Sequence, residues 1–472
     1  MPRLSLALTC AVAAALAANH ATAQSTITPL ATFGTGGWVA PGSSAFVTTG
    51  NTERGLAYNP TTGNLVLVSR AGGNNIRILD GISGLDVGGL DATGITGGTF
   101  AINMAGVSDD GAIYVCNLST SATSNFKIYK WDSEATGATT PPTVAYDAPS
   151  GMGRTGDAFA VTGNALANTV QFAGAGSAPS SANANSCFAI GTLDGTNTST
   201  AYLSIPGTTT ASNDYRLGLT FVDQGTVIGT QGGTARLTSF NGTTATVVDS
   251  LPLTPTSRAM SYAVIAGTPV LAVLESNSSQ LSIYEVSTPS APVLLLTANN
   301  TVTPVANANG TGAVAWGAVN GNSATLYAMN SNQGIQAFSV TIQPPASASP
   351  FGAGCGAPAL SLSAVGAPVL PSTIQLQTDN LPPTVQIGGY VFGFTAIPGG
   401  IPLPFPGGCQ QYVLPLSSVI VVTLGAPSYQ LPQTYPNNPA YAGVVIFAQS
   451  VALDPAGSLL TSNALRLYLE TF

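Results

Sequence analysis

The sequence predicts an all-β chain, a six-bladed β-propeller followed by an antiparallel β-sandwich, and three observations predict it. A unit made of a short apolar strand, a turn on Asn, Asp or Gly, and two or three further strands returns six times between Arg54 and Thr341. No stretch carries a sustained helical period. Gly, Ser, Thr, Asn and Ala abound while only 6% of residues are charged, so solubility rests on uncharged polar side chains and turns, as in turn-rich extracellular β proteins.

Residues 1–23 read as a secretory signal: Arg3, then the apolar run Leu4 to Ala18, then Ala21-Thr22-Ala23 as the cleavage site before Gln24. Cys10 reads as a residue of that run rather than a lipid attachment point, because Thr9 precedes it and apolar residues continue past it. The expected product is secreted, periplasmic or at the cell surface, and no later run is long enough to span a bilayer. The single histidine, His20, leaves with the signal, which excludes Ser-His-Asp triads, histidine bases and histidine-ligated zinc. Lys and Arg number 11 against 19 Asp and Glu, a net charge of −8 that becomes −9 when Arg3 is removed. Such a surface repels phosphate backbones, so nucleic acid is not an expected partner.

The first repeat comprises Arg54 to Asn59, Asn64 to Arg70, Asn75 to Asp80 and Leu85 to Asp91; the second comprises Phe100 to Val107, Ala112 to Leu118, Phe126 to Trp131 and Thr143 to Asp147. These runs are rich in Val, Ile, Leu and Tyr and are separated by turn residues. The third is weaker: Asp157 to Thr162, Thr169 to Ala173, Ser186 to Gly191 and Ala201 to Ile205, with Gly174 to Asn185 read as an exposed loop. The fourth runs Arg216 to Val222, Gly225 to Thr230, Thr234 to Phe240 and Thr246 to Leu251, and the fifth Met260 to Ile265, Val270 to Glu275, Gln280 to Val286 and Val293 to Thr297. The sixth has three strands, Gly312 to Val319, Ala324 to Asn330 and Gly334 to Thr341. Ile27 to Phe33 is the expected fourth, closing the ring from the other end of the chain and leaving no open edge. Seven blades follow instead if Trp38 to Thr48 contributes a further strand set.

Gln343 to Pro350 reads as a proline-stiffened Pro/Ser/Ala linker. Residues 351–472 then offer strands near Ala359 to Val365, Thr373 to Asp379, Ile387 to Ala396, Gln411 to Leu416, Val419 to Leu424, Val444 to Leu453 and Ala464 to Glu470, a β-sandwich pattern. Cys355 and Cys409 share this small exported domain and are expected to bridge. Cys116 and Cys187 lie in adjacent blades and either bridge or stay buried thiols.

Arg54-Gly55-Leu56-Ala57-Tyr58-Asn59-Pro60, Gly63-Asn64-Leu65-Val66-Leu67-Val68-Ser69-Arg70, Gly97-Gly98-Thr99-Phe100 and Ser108-Asp109-Asp110-Gly111-Ala112-Ile113-Tyr114 resemble an uncharacterised family of secreted bacterial domains with propeller-like repeats. The likeness is densest over residues 50–135. Phe351-Gly352-Ala353-Gly354-Cys355, Leu403-Pro404, Gly408-Cys409, Pro436-Asn437-Asn438-Pro439, Gly443, Phe447-Ala448-Gln449, Asp454 and Ser462-Asn463-Ala464 are similar to a second uncharacterised domain, found at the ends of secreted planctomycete-type proteins. Neither resemblance implies an activity, a cofactor or a catalytic residue.

Arg54, Arg154, Arg216 and Arg258 recur at or just before the first strand of four blades. First strands line the channel of a propeller, so the four are expected to converge at one mouth, able to hold a carboxylate, a sulfate or sugar hydroxyls. Glu53, Asp157 and Asp214 sit within three residues of Arg54, Arg154 and Arg216, so pairing between blades is the competing role. Asp109-Asp110-Gly111 reads as a hairpin turn rather than a calcium loop, and Asp80, Asp86 and Asp91 as turn residues. Lys127, Lys130 and Trp131 read as an outer strand face, and Tyr58, Tyr114, Tyr129, Tyr262, Tyr284 and Tyr327 as packing between blades. No metal or other cofactor is expected. Two functions fit. One is an exported, non-enzymatic binding or scaffold protein recognising a glycan or cell-envelope protein, with the sandwich serving attachment, assembly or export. The other is a histidine-independent carbohydrate-active or lyase-type enzyme using the arginines and acids of the mouth, although no carboxylate pair spaced for glycoside hydrolysis is evident.

Overall fold

The computed structural model describes residues 25–177, 186–193, 201–204, 213–241, 244–302, 304–405, 408–455 and 457–472. The expected signal, with Cys10 and His20, lies outside them. The chain divides into two compact units, Ser25–Ile342 and Gln343–Phe472, both built from antiparallel sheets.

In Ser25–Ile342 the four-stranded set repeats. The first sheet is Glu53–Tyr58, Leu65–Ser69, Asn75–Leu79 and Asp86–Gly89; the second is Phe100–Val107, Ile113–Leu118, Asn125–Trp131 and Thr143–Pro149. The third (Arg154–Thr162, Gln171–Ser177, Ser186–Thr192, Ala201–Ser204) and fourth (Gly218–Asp223, Thr226–Thr230, Thr234–Asn241, Thr244–Pro252) join at their outermost strands, where Ser204 pairs in parallel with Thr244, giving one eight-stranded sheet. The fifth is Ser257–Ile265, Thr268–Glu275, Leu281–Glu285 and Val293–Ala298. Two details correct the sequence reading. Gln171–Ser177 is a strand, so Gly174 to Ser177 are not loop, and the rest of the expected loop lies outside the described residues. Ser133 caps a single helical turn, Glu134–Gly137, whose Glu134 carboxylate accepts from Asn59, Thr62 and Asn64 and so ties the second sheet's outer turn to the first sheet.

The sixth sheet takes strands from both ends of the unit. Gly312–Asn320, Ser323–Asn330 and Gly334–Thr341 are joined by Thr26–Pro29, which pairs antiparallel with Thr341 to Phe338. The strand ends at Pro29 rather than Phe33 because the chain turns there, with Phe33 N donating to Leu30 O at 2.8 Å. Trp38–Val39 continues along the same edge, opposite Gln336 and Ile335, and adds no separate sheet. Phe33, Val39 and Val47 then fill a core with Leu56 and Leu67 of the first sheet and Tyr327 and Ile335 of the sixth.

The first strands neighbour one another in order. Glu53–Tyr58 lies beside Phe100–Val107, then come Arg154–Thr162, Gly218–Asp223, Ser257–Ile265 and Gly312–Asn320, and this last lies beside Glu53–Tyr58 again. The approach is close: a Cβ on Gly55 would stand 2.4 Å from the backbone N of Ala105, so only glycine fits there.

In Gln343–Phe472 a five-stranded sheet (Ser347–Phe351, Leu459–Tyr468, Val445–Leu453, Ile387–Gly393, Ser417–Val422) and a three-stranded sheet (Ser361–Val365, Ser372–Asp379, Ser428–Tyr435) contribute to one core. Leu362, Ile374 and Leu376 of the smaller sheet meet Tyr390, Ala448, Leu465 and Leu467 of the larger. Buried hydroxyls also link them, Thr378 Oγ1 donating to Ser450 Oγ at 2.8 Å and Tyr390 OH to Leu376 O at 2.7 Å. The expected linker 343–350 is partly strand. Ser347–Phe351 occupies a sheet edge, the position where a strand proline such as Pro350 is tolerated. Ser428–Tyr435, which sequence reasoning missed, is likewise an edge strand with an internal proline, Pro432. A further pair, Ala396–Pro402 with Gln410–Val413, stands apart.

Cys355 and Cys409 form a disulfide across a sequence separation of 54 residues. Closing a loop of that length stabilises the fold by about 4 kcal/mol in the chain-entropy estimate. The double substitution Cys355→Ala/Cys409→Ala is therefore expected to lower the melting transition of the C-terminal unit and leave that of Ser25–Ile342 in place, which calorimetry of the full chain reads directly. Cys116 is a free, fully buried thiol, its pKa pushed up to about 12 by burial. The side chain of Cys187 lies outside the described residues.

Candidate functional site

Arg54 sits where the register of its strand shifts, between Glu53 and Gly55, and it and Glu53 reach different partners. Glu53 Oε1 accepts from Thr48 N at 2.7 Å and from Thr52 Oγ1 at 2.9 Å. Arg54, only 5% exposed, donates through Nε to Asn103 Oδ1 at 3.3 Å and through Nη1 to Thr311 Oγ1 at 2.9 Å. Asn103 in turn donates to Gly156 O at 2.5 Å. One run of hydrogen bonds thus crosses from the segment before the sixth sheet, through the first and second, to the third.

Asp157 continues the line. It is buried, and its carboxylate receives Arg154 through both Nε and Nη2, the latter at 2.7 Å, and Arg216 Nε at 2.8 Å. The third and fourth sheets therefore share one carboxylate between two arginines. Asp214, expected beside Arg216, instead accepts from Arg236 Nε at 2.9 Å. Arg258 stands further round. Its Nη1 donates to the carbonyls of Pro255 (2.8 Å) and Ser257 (3.1 Å), in space left by Gly232, whose φ of +135° and missing Cβ admit the guanidinium. Glu275 is the nearby carboxylate, held by the hydroxyls of Thr254, Thr256 and Ser257.

A fifth arginine joins the group. Arg70 follows the second strand of the first sheet, and its N donates to Thr52 O at 2.9 Å, which brings it back beside the start of the first strand. Its guanidinium lies over the Phe100 ring at 3.7 Å from the centroid. Burial, then the charges of Arg70 and Arg154, lower Arg54 to about 10, while Asp157 and Glu53 only partly offset them. Burial and Arg154 lower Arg70 likewise. Hydrogen bonding to Asp157 raises Arg154 instead. Arg70 Nη1 and Arg258 Nε are buried without a hydrogen-bond partner. The result is a cationic cluster of Arg54, Arg70, Arg154 and Arg216 around Asp157, with donors to spare.

Of the four arginines picked out from the repeat, three are drawn together and Arg258 is set apart. Arg70 was missed because it closes a second strand rather than opening a first. Hairpin pairing of Glu53 with Ser69 is the signal that places it.

The other candidates are structural. Asp110 accepts from Ser108 Oγ, Ala165 N and Leu166 N, fixing the hairpin against the third sheet. Asp80 and Asp91 accept turn amides, and Asp86 pairs with Arg77 at 2.7 Å. Lys127 pairs with Asp147 and Lys130 with Asp132, while Trp131 is buried with its indole N–H on Asp91 O. Tyr58 stacks on Tyr327, whose OH donates to Gly81 O at 2.8 Å. Among the described residues no group of three acidic, Cys or His side chains is placed to hold a metal.

Residues 33–214 match the family described as a domain of unknown function, DUF4623. The fold is similar to that of a DUF4623 family protein from Bacteroides eggerthii, at 16% identity and a TM-score of 0.50 over 69% of this chain and 77% of that one. A gluconolactonase from Xanthomonas campestris (11% identity, TM-score 0.40, 69% and 94% of the two chains) and the Malassezia sympodialis allergen Mala s 1 (9% identity, TM-score 0.37, 62% and 92%) are more distant and carry no functional weight. No curated protein matches the chain.

Proposed function

We propose that Ser25–Ile342 is a six-bladed β-propeller of an exported, non-enzymatic binding protein, and that it takes an anionic ligand at the arginine cluster. Gln343–Phe472 is then a β-sandwich serving attachment, assembly or export at the cell surface. Support for the six-bladed reading comes from the cyclic order of neighbouring first strands and from Thr26–Pro29 completing the sixth sheet. The observation that carries the binding reading is the charge imbalance: Arg70 and Arg154 add to burial in lowering Arg54, Arg154 does the same to Arg70, and the carboxylate among them is already shared by two guanidiniums. A carboxylate or sulfate group on the ligand relieves that repulsion and takes up the spare donors. A glycan or cell-envelope component carrying uronate or sulfate groups has this chemistry.

The carboxylates favour binding over glycoside or lyase chemistry. Asp157 is committed to two arginines and Glu53 Oε1 to Thr48 and Thr52, so neither carboxylate is poised over an open site as acid or base. Calorimetric titration of the full chain with polygalacturonate, heparin and neutral dextran tests the reading. Binding of an acidic polymer but not of dextran, weakened by Arg70→Gln at unchanged melting temperature, is the expected result; equal binding by the variant, or none by the wild type, would refute it.

A further inference from the structure

Beyond the arginines lies a cavity of ≈ 350 Å³ lined by all six first strands. Its lining begins at Leu56, Ala158, Leu217 and Ala259, each further along the chain than Arg54, Arg154, Arg216 and Arg258. We infer that this cavity is a second, separate binding site, for a neutral polyhydroxyl ligand of about one sugar ring.

The backbone sets the chemistry. Each first strand is the terminal strand of its set, and apart from the bridge of Thr155 to Ser119 it pairs only with the second, so along the cavity its other edge carries N–H and C=O groups without a strand partner. Buried groups of this kind need a hydrogen-bond partner. Side chains supply some: Tyr262 N donates to Thr220 Oγ1 at 3.3 Å, and Ser261 O accepts from Trp316 Nε1 at 3.0 Å. Small lining residues, among them Ala105, Gly106, Ala160, Gly312 and Ala315, leave the remaining edges within reach.

Uncharged donors and acceptors alternating at short intervals suit hydroxyl groups, each of which both donates and accepts. No lysine or arginine lines the cavity, so an anion would enter without compensating charge, and its single carboxylate, Asp109, is exposed to water. The volume lies at the small end of the range for ligand sites, about 300–1,000 Å³, which favours a single ring over an oligosaccharide.

Ligand-observed NMR and hydrogen exchange on the full chain, with glucose, galactose, mannose and myo-inositol as probes, test the inference. At least one probe is expected to bind and to slow amide exchange in Leu56–Tyr58, Ala158–Thr162 and Gly312–Trp316. Ser261→Phe, which narrows the cavity, is expected to weaken that probe about tenfold or more, a loss of about 1.4 kcal/mol. The exchange result stands even if the variant does not fold. Saturating sulfate is expected to leave the sugar bound. Displacement by sulfate would place the sugar at the arginines and overturn the assignment, as would protection outside these strands or no binding by any probe. Failure of the acidic-polymer titration leaves this outcome untouched, because the probes carry no charge.

Discussion

Asp157→Ala is expected to destabilise Ser25–Ile342 by about 3 kcal/mol, the lower end of the cost of breaking a buried ion pair from one side. The carboxylate is 3% exposed as a residue and serves two guanidiniums from neighbouring sheets. Its loss leaves Arg216 without its carboxylate and Arg154 facing Arg54 and Arg70, with Glu53 the remaining offset to the charge of Arg54. The lower end applies because the Arg154 and Arg216 side chains keep 29% and 30% of their exposure, so water screens part of the repulsion. Urea denaturation followed by fluorescence measures the change. A loss below about 1 kcal/mol, the scale of a surface pair, would mean that Asp157 does not join the third and fourth sheets.

Removing residues 25–34 is expected to cost more. The deletion strips Thr26–Pro29 from the edge of Gly334–Thr341 and takes away Phe33, fully buried against Tyr327 with ring centroids 5.8 Å apart. Truncating a buried Phe alone costs about 3–5 kcal/mol, and the bared strand presents Phe338 and Val340, both fully buried in the intact unit, at an open edge. The truncated chain is expected to lose the cooperative transition of Ser25–Ile342 while keeping that of the disulfide-bonded C-terminal unit. A melting curve matching the full-length chain would show that the sixth sheet does not depend on the N-terminal strand.

Strands built on continuous Val, Ile and Leu, such as Leu65–Ser69, were legible in the sequence because burial on both faces selects those residues. The strand from the N-terminal end was legible through a counting argument, since the sixth repeat is one strand short. Two edge strands were not legible: Ser347–Phe351 and Ser428–Tyr435 contain proline and polar residues that an interior strand excludes. The repeat also identified Arg54, Arg154 and Arg216, because equivalent positions in neighbouring sheets meet. Their partners were less accessible. Asp157 could be read at three residues from Arg154, but Asn103 and Thr311 reach Arg54 from sequence distances of 49 and 257, and no local pattern marks them. Arg70 required the register of a hairpin rather than the period of the repeat.

The melting temperature of the full chain in sulfate, compared with chloride at matched ionic strength, tests the anion site most directly. An anion that binds only the folded state raises stability by RT ln(1 + [L]/Kd). Sulfate is expected to raise the transition of Ser25–Ile342 in the wild type, and to raise it less in Arg70→Gln, which removes a cationic side chain beside Arg54 while leaving the Asp157 pairs intact. An equal rise in both proteins would reflect the general effect of sulfate on burial and would contradict an anion site at the arginine cluster.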